Sequence, residues 1–416
     1  MPHLHHSLNS QRLPVLPEEL IVEILLRLPV KSLVQYKCVC KSWKTLISDS
    51  QFANNHHLLT SKAYPRLFLN DGVHEIVSYP VNSLLENPST PVIPLVSFSF
   101  RMDLHSILGS CNGLLCLYHI HTRQCKLLNP SIQLKSQVSP TIVLDFEIII
   151  HHGFGYDQVN HKYKLLLVVR DVVYWDLEPM TRIYTFGENS WKSLPNFPCL
   201  PHRGLGVYVS GTLNWIVAKD GVNSNQCVII SIDLEKENYG EVLLPQHDDA
   251  HNVRYSGLNV LSNCLSVCFD HSKESHWIVW MMKEYGVAKS WTKLFIIPHD
   301  KFKFRHLFVD PLFISGNGVV LLRIINFLLS KLVLYNLSDG RMDYLRILGK
   351  NDRDIHIYHA QDIHSDNGRD IHIHHVRDIY IHHESLVSQQ WLYNLCMLND
   401  LRIALLPSVF AHSCST

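Results

Sequence analysis

RIYTFGENSWKSLP, residues Arg182–Pro195, is an apolar strand, a polar turn near Gly187, and a second strand with an aromatic or branched residue. The same design returns three times. VIISIDLEKENYGEVLLP (Val228–Pro245) turns near Lys236, HWIVWMMKEYGVAKSWTKLF (His276–Phe295) near Gly286, and KLVLYNLSDGRMDYLRIL (Lys331–Leu348) near Ser338. The steps between these turns are 49, 50 and 52 residues. Beyond residue 60, short apolar runs alternate with turn residues, which is an all-β pattern.

A recurrence of about 50 residues is the period of a kelch-type propeller blade. Weaker hairpins near Asp71 (RLFLNDGVHEIV) and Asn129 (CKLLNPSIQLK) each precede the next turn by 58 residues. With them the array reaches about six blades. The alternative is an irregular β-sandwich with hairpins at chance spacing. No Gly-Gly doublet occurs, and the single Trp-Asp pair, Trp175-Asp176, does not repeat, which disfavours a WD40 array.

The chain, at 416 residues, is too long for one small domain and ample for a large core. Apolar residues make up 46%, enough to fold rather than stay disordered. Lys+Arg and Asp+Glu balance at 37 each, so net charge points neither to nucleic acid nor to an anionic membrane. The eleven cysteines are scattered, odd in number and without a C-x-x-C pair, which reads as free thiols in a reducing compartment. MPHLHHSLNS at the start lacks the apolar run of a secretory signal. The most membrane-like run, Val319–Tyr335, is interrupted by Arg323, Asn326 and Lys331 and reads as two buried strands. The expectation is a cytoplasmic or nuclear protein.

The N-terminal residues follow a different rule. Leu20, Ile21, Ile24, Leu25 and Leu28 keep helical spacing, with Glu18 and Glu19 in a first turn where the helix dipole favours them. Pro17 suits a first helical position and Pro29 stops that helix. Second and third helices are expected over about Lys31–Cys38 and Lys41–Ile47. Three short helices cannot bury all their apolar faces alone. The remainder either marks a partner surface or packs on the C-terminal domain.

LPEELIVEILLRLPVKSLVQYKCVCKSWKTLISDSQF (Leu16–Phe52) closely resembles the F-box of plant F-box proteins. The resemblance implies an F-box over residues 11–57, after a tail of residues 1–10, docking a Skp-type adaptor and through it a cullin. It puts Leu16, Pro17, Leu28, Pro29, Leu33 and Cys40 on or near the adaptor face, with Trp43 supporting or joining it. The rest resembles the F-box-associated domain, kelch-like type 1, in GSCNGLLCL (Gly109–Leu117), LLNPS (Leu127–Ser131), GFGYD (Gly153–Asp157), SGTLNWI (Ser210–Ile216) and LVLYNLSDG (Leu332–Gly340). These motifs look structural, and none requires chemistry or a cofactor. The implied architecture is α+β and multidomain, a small three-helix F-box followed by a large all-β, propeller-like domain over 58–388. The implied function is substrate recognition for an SCF-type ubiquitin ligase, without catalysis and with neither nucleic acid nor membrane as partner. An F-box-containing interaction module outside the ligase is the alternative. Residues 389–416 lie beyond the resemblance and hold an apolar stretch of helical character.

Two features compete with that reading. Gly109-Ser110-Cys111-Asn112-Gly113 fits a cysteine version of a nucleophile elbow, but the elbow needs a helix after it and LLCLYHI reads as a strand. RDIHIYHAQDIHSDNGRDIHIHHVRDIYIHHE (Arg353–Glu384) is four copies of an octapeptide holding eight of the 28 histidines. On a strand His372 and His374 would share a face, a possible metal-ligand pair. The alternatives are a repeat expansion without a role, adventitious metal binding, or a dedicated sensor. As one strand it would span roughly 105 Å, so it must fold back or be disordered. The fourth copy reads as the domain's last strand, and the first three as added length.

Overall fold

The computed structural model describes residues 16–60, 65–70, 75–86, 96–99, 105–142, 147–171, 173–174, 178–198, 205–218, 227–245, 254–271, 275–301, 308–326, 329–346, 357–358 and 379–383. Helices come first: α1 (Glu18–Leu26), α2 (Val30–Tyr36), α3 (Lys41–Ser48) and α4 (Ser50–Thr60). Pro17 and Pro29 stand at the N-caps of α1 and α2. A fourth helix is added to the three expected. Asp49 starts it, its Oδ1 accepting the N–H groups of Gln51 and Phe52 at 2.9 Å each.

Strands β1 (Pro65–Asn70), β2 (Glu75–Pro80) and β3 (Val96–Ser99) open the β region, with α5 (Val81–Glu86) between the last two. Five antiparallel sheets follow in chain order. They are β4–β7 (His105–Cys111, Leu114–His119, Gln124–Asn129, Leu134–Lys135), β8–β11 (Glu147–Asp157, Lys162–Asp171, Met180–Thr185, Lys192–Leu194), β12–β15 (Val207–Val209, Thr212–Ala218, Cys227–Asp233, Asn238–Val242), β16–β19 (Arg254–Leu261, Cys264–His271, His276–Met282, Trp291–Pro298) and β20–β23 (Phe308–Ile314, Val319–Asn326, Leu329–Asn336, Met342–Tyr344). β24 (Ile357–Tyr358) pairs with β22. β25 (Ile379–His383) pairs with β1 and completes the first sheet, in the order β25-β1-β2-β3. Six sheets therefore serve as blades 1 to 6, and blade 1 joins the two ends of the domain.

The first strand of each blade lies inward. β4 lies beside β25 and β8, and β12 beside β8 and β16, with β16 beside β20. Apolar layers fill the gaps between successive blades. Phe154, Tyr163 and Leu165 meet Leu114 and Leu127 between blades 3 and 2; Leu321 and Leu334 meet Leu67, Val77 and Tyr79 where blade 6 closes on blade 1. Close approach requires glycine in GFGYD. A Cβ on Gly155 would sit 2.5 Å from the Tyr208 ring and 2.7 Å from Leu234, both on blade 4.

The 49–52-residue period has a physical origin in the blade edges. Trp191 Nε1 of blade 3 donates to Pro140 O of the chain leaving blade 2, at 3.1 Å. Tyr239 OH of blade 4 donates to Pro195 O at 3.0 Å, and Trp291 Nε1 of blade 5 to Leu243 O at 2.9 Å. An aromatic residue near the start of the fourth strand thus ties each of these blades to the one before. Arg323, which interrupts the membrane-like run, lies on β21 and donates through Nη2 to the buried Asp310 carboxylate at 2.8 Å. Among the described residues no helix is long and apolar enough to cross a membrane.

Two sequence expectations change. The turns near Asn129, Gly187, Lys236, Gly286 and Ser338 all join third to fourth strands, but the turn near Asp71 joins the second strand of its blade to the third. Its 58-residue offset therefore mixes two phases, because β25 supplies the first strand of blade 1 from the far end of the chain. The octapeptide repeat is also not all added length. Its first copy contributes Ile357–Tyr358 to the edge of blade 6, and its fourth contributes β25. His372, His374 and the segment 389–416 lie outside the described residues.

Candidate adaptor-docking surface and the two ends of the propeller

The F-box helices enclose a small core of Leu25, Val30, Leu33, Ile47, Phe52 and Ala53. Leu33 is 0% exposed. It therefore lies in the core of the module, beneath the surface on or near which it is expected. Leu28, Pro29 and Trp43 are half-buried, and Trp43 meets Tyr36 edge-to-face at 5.8 Å. Buried His56 of α4 bonds through Nε2 to Leu28 O at 2.8 Å, fixing the chain just before Pro29.

Exposed apolar surface comes from other positions. Leu16 is 55% exposed, Pro17 is exposed, and Leu20 and Ile24 follow at 45% and 51%, one helical turn apart. Val39 is 60% exposed beside the exposed Cys40. Leu20, Ile24 and Val39 are absent from the expected site. Their period cannot say which face of α1 turns inward, because apolar residues occur all round that helix. At the N-cap of α3, a hydrogen bond with Ser42 Oγ at 3.1 Å and the Trp43 N–H hold the Cys40 thiol below its ordinary value. Burial and the neighbouring Lys44 bring the Lys37 ammonium down to about 8.

Among the described residues of the propeller, Ile132 packs against the F-box core. Ile132 lies in the turn from β6 to β7, where Asn129 Oδ1 accepts the N–H groups of Ser131 and Ile132 at 2.9 and 3.3 Å. In an antiparallel blade the turns joining first to second and third to fourth strands share one end. The F-box sits at that end, where β1 also begins. The first-to-second turns there are tight, two to four residues in blades 2 to 6. Asn112–Gly113 have φ of 46° and 79°, and Ser210–Gly211 have 50° and 80°, the left-handed pair that a two-residue hairpin requires. Cys111 is thus buried on β4 ahead of a hairpin, with no helix to make an elbow, and burial pushes its thiol well up. The same end holds a buried ion cluster, Lys164 Nζ lying 3.0 Å from both Asp157 Oδ2 and Glu237 Oε1. At the opposite end the chain uses longer connections, residues 136–146, 195–206, 243–253 and 299–307, to reach each next blade. Among the described residues no group of three or more His, Cys, Asp or Glu could hold a metal ion.

This combination, a helical module with exposed apolar surface joined to one end of a six-sheet propeller, defines a class of two-part protein. Residues 13–55 match the F-box domain and residues 67–357 the F-box associated beta propeller domain. The chain belongs to the family of F-box proteins carrying that propeller. An F-box/kelch-repeat protein of Arabidopsis thaliana is 34% identical over 343 residues, covering 79% of this chain and 90% of its own length. F-box protein CPR1 of the same plant is 27% identical, covering 80% and 84%. An F-box/WD-40 repeat-containing protein from it is 28% identical, covering 71% and 72%.

Proposed function

We propose that the chain is the target-recognition subunit of an SCF-type ubiquitin ligase, working in the cytoplasm or nucleus. The F-box holds a Skp-type adaptor and through it a cullin; the propeller holds the protein to be ubiquitinated. The observation that carries this reading is the division of the molecule, with exposed apolar F-box residues at one end and the long interblade connections at the other. Such a receptor needs no catalytic residue. It raises the local concentration of target lysines near a charged ubiquitin-conjugating enzyme.

The docking surface is built from Leu16, Pro17, Leu20, Ile24, Val39 and Cys40, with Leu28, Pro29 and Trp43 setting its shape and Leu33 holding it from inside. The target takes the end opposite the F-box, where loop sequence is free of fold constraints. Co-expression with a Skp-type adaptor and cullin tests this. The wild type co-purifies with both, and Leu20→Asp with Ile24→Asp loses both while the propeller melts unchanged. Undiminished capture by that variant would place docking elsewhere.

A further inference from the structure

Blade 2 has an unusual charge composition. Between Asp103 and Asp145 the chain carries no acidic residue, although Asp and Glu total 37 in 416 residues. The same interval holds His105, His119, His121, Arg123, Lys126 and Lys135. Folding gathers the first five at the end away from the F-box. His105 begins β4 and pairs directly with His119 at the end of β5; His121 and Arg123 occupy the turn that follows.

The side chains converge. The His105 and His119 rings meet edge-to-face at 4.6 Å, and His119 and His121 lie 6.2 Å apart. Lys126 Nζ donates to His105 Nε2 at 3.2 Å, since an ammonium has only donors. The Thr122 N–H donates to His119 Nδ1 at 3.1 Å, which leaves the neutral ring its proton on Nε2 as a second donor. Burial lowers the His119 imidazole first, and the charges that lower it further are Lys126 and His121. Lys126 is lowered by burial and then by Lys135. Lys126 and Arg123 thus bring positive charge beside the His119 ring in an acid-free stretch, and an anion would complement it. The three imidazoles are not disposed to hold a metal ion.

We propose that this end of blade 2 is the binding site for an acidic, carboxylate-rich segment of the target protein. The inference rests on the reading above of which end takes the target. Arg123 offers a planar fork that matches carboxylate geometry, and Lys126, His119 and His121 add donors beside it. β6 runs from this cluster to the turn that carries Ile132, a distance of roughly 20 Å for six residues. One blade thus connects the target site to the F-box.

A fluorescein-labelled deca-glutamate peptide, titrated into the full chain bound to its adaptor and followed by anisotropy, tests the site. The wild type binds it, and His121→Glu with Arg123→Glu weakens binding tenfold or more. Lys283→Glu with Lys289→Glu, on blade 5 at the F-box end, leaves it unchanged. Lys135→Glu, at an exposed position, gives a smaller loss and guards against misfolding of the double variant. Equal weakening by both double variants, or no weakening by the blade 2 pair, overturns the proposal. So does tighter binding of a single-stranded oligonucleotide of ten nucleotides than of the peptide. Adaptor capture is read in every arm. Peptide binding without adaptor capture would remove the ligase reading and leave this site standing.

Discussion

The two ends of the propeller are joined by opposite rules. At the F-box end the backbone dictates the residues: Asn112–Gly113, Ser210–Gly211 and Ser262–Asn263 all take left-handed φ, and Asn129, Asp233 and Asn336 each fold a turn onto their own side-chain oxygen. A two-residue hairpin accepts few sequences. At the far end the chain takes residues 136–146, 195–206, 243–253 and 299–307 to change blades. Closure entropy grows only slowly with loop length, so those stretches can vary without unfolding the sheets. Fold information is concentrated where the F-box sits, and freedom to evolve a binding site where it does not.

The comparison breaks first if the F-box is not a packed module. Leu33→Asp puts a carboxylate into its core and costs more than about 4 kcal/mol. The expected outcome is loss of helical signal and adaptor capture with the propeller transition intact. Leu20→Asp alone changes stability by only about 0.5 kcal/mol, yet weakens capture. A Leu33→Asp chain that keeps full helicity would put Leu33 back on the surface.

The next largest effect falls on the ion cluster at the F-box end. Burial raises the Asp157 carboxyl, but hydrogen bonds from Asn160 and Lys164 outweigh it and leave the group below its ordinary value. Glu237 is depressed in the same way by Lys192 and Lys164, against burial. Burial opposes the Lys164 charge, yet the two carboxylates hold its ammonium above the ordinary value. The depressed carboxylates stabilise the fold above their unfolded values near 4 and lose that contribution as pH falls through the folded ones. The raised lysine contributes below about 10.5 and loses its share as pH rises through the folded value. Lys164→Met leaves the buried Asp157 carboxylate without its cation, and Glu237 with Lys192 alone, and costs about 3–5 kcal/mol. Melting followed from pH 6 to pH 2 should fall more steeply for the wild type than for the variant. Parallel curves would mean that the cluster adds nothing to stability.

A matched pair of changes then sets one end against the other. Gly113→Val forces a β-branched residue to a φ of 79° and costs roughly 2 kcal/mol. Five Gly/Ser residues inserted between Pro245 and Arg254, in the connection from blade 4 to blade 5, cost less than about 1 kcal/mol. Denaturant midpoints measure both. An insertion as damaging as the substitution would erase the distinction between the ends.

That distinction also explains what was legible in the sequence. Turn residues repeat from blade to blade, and edge aromatics in blades 3, 4 and 5 repeat with their hydrogen bonds, so Gly187, Lys236, Gly286 and Ser338 mark blades in the sequence itself. Blade 1 escaped its phase because its first strand, Ile379–His383, is distant in sequence. Leu33 and Ile24 are both apolar at helical positions, and only packing separates the buried one from the exposed one. The acid-free interval from Leu104 to Leu144 was open to simple counting, but its convergence at one end needed the pairing of His105 with His119.

The smallest effect on stability belongs to Ile132, and it bears on how the two ends work together. Half-buried against the F-box core, Ile132 sits at one end of β6–β7 while Arg123 sits at the other end of β6. Ile132→Ser removes part of one apolar contact, worth about 1 kcal/mol, and leaves both domain cores complete. Melting should shift by no more than a few degrees and adaptor capture should persist. What changes is the coupling. Ile132 is the propeller residue that packs on the F-box core among the described residues, so its loss should loosen the orientation of the F-box relative to blade 2. Small-angle scattering of the full chain should then report a larger radius of gyration, and protease should cut between Thr60 and Pro65 several-fold faster. A ligase that relies on proximity loses rate when the distance between bound target and adaptor is no longer fixed. If Ile132→Ser scatters and cleaves as the wild type does, the two ends are held by another contact, and blade 2 is not the connection between them.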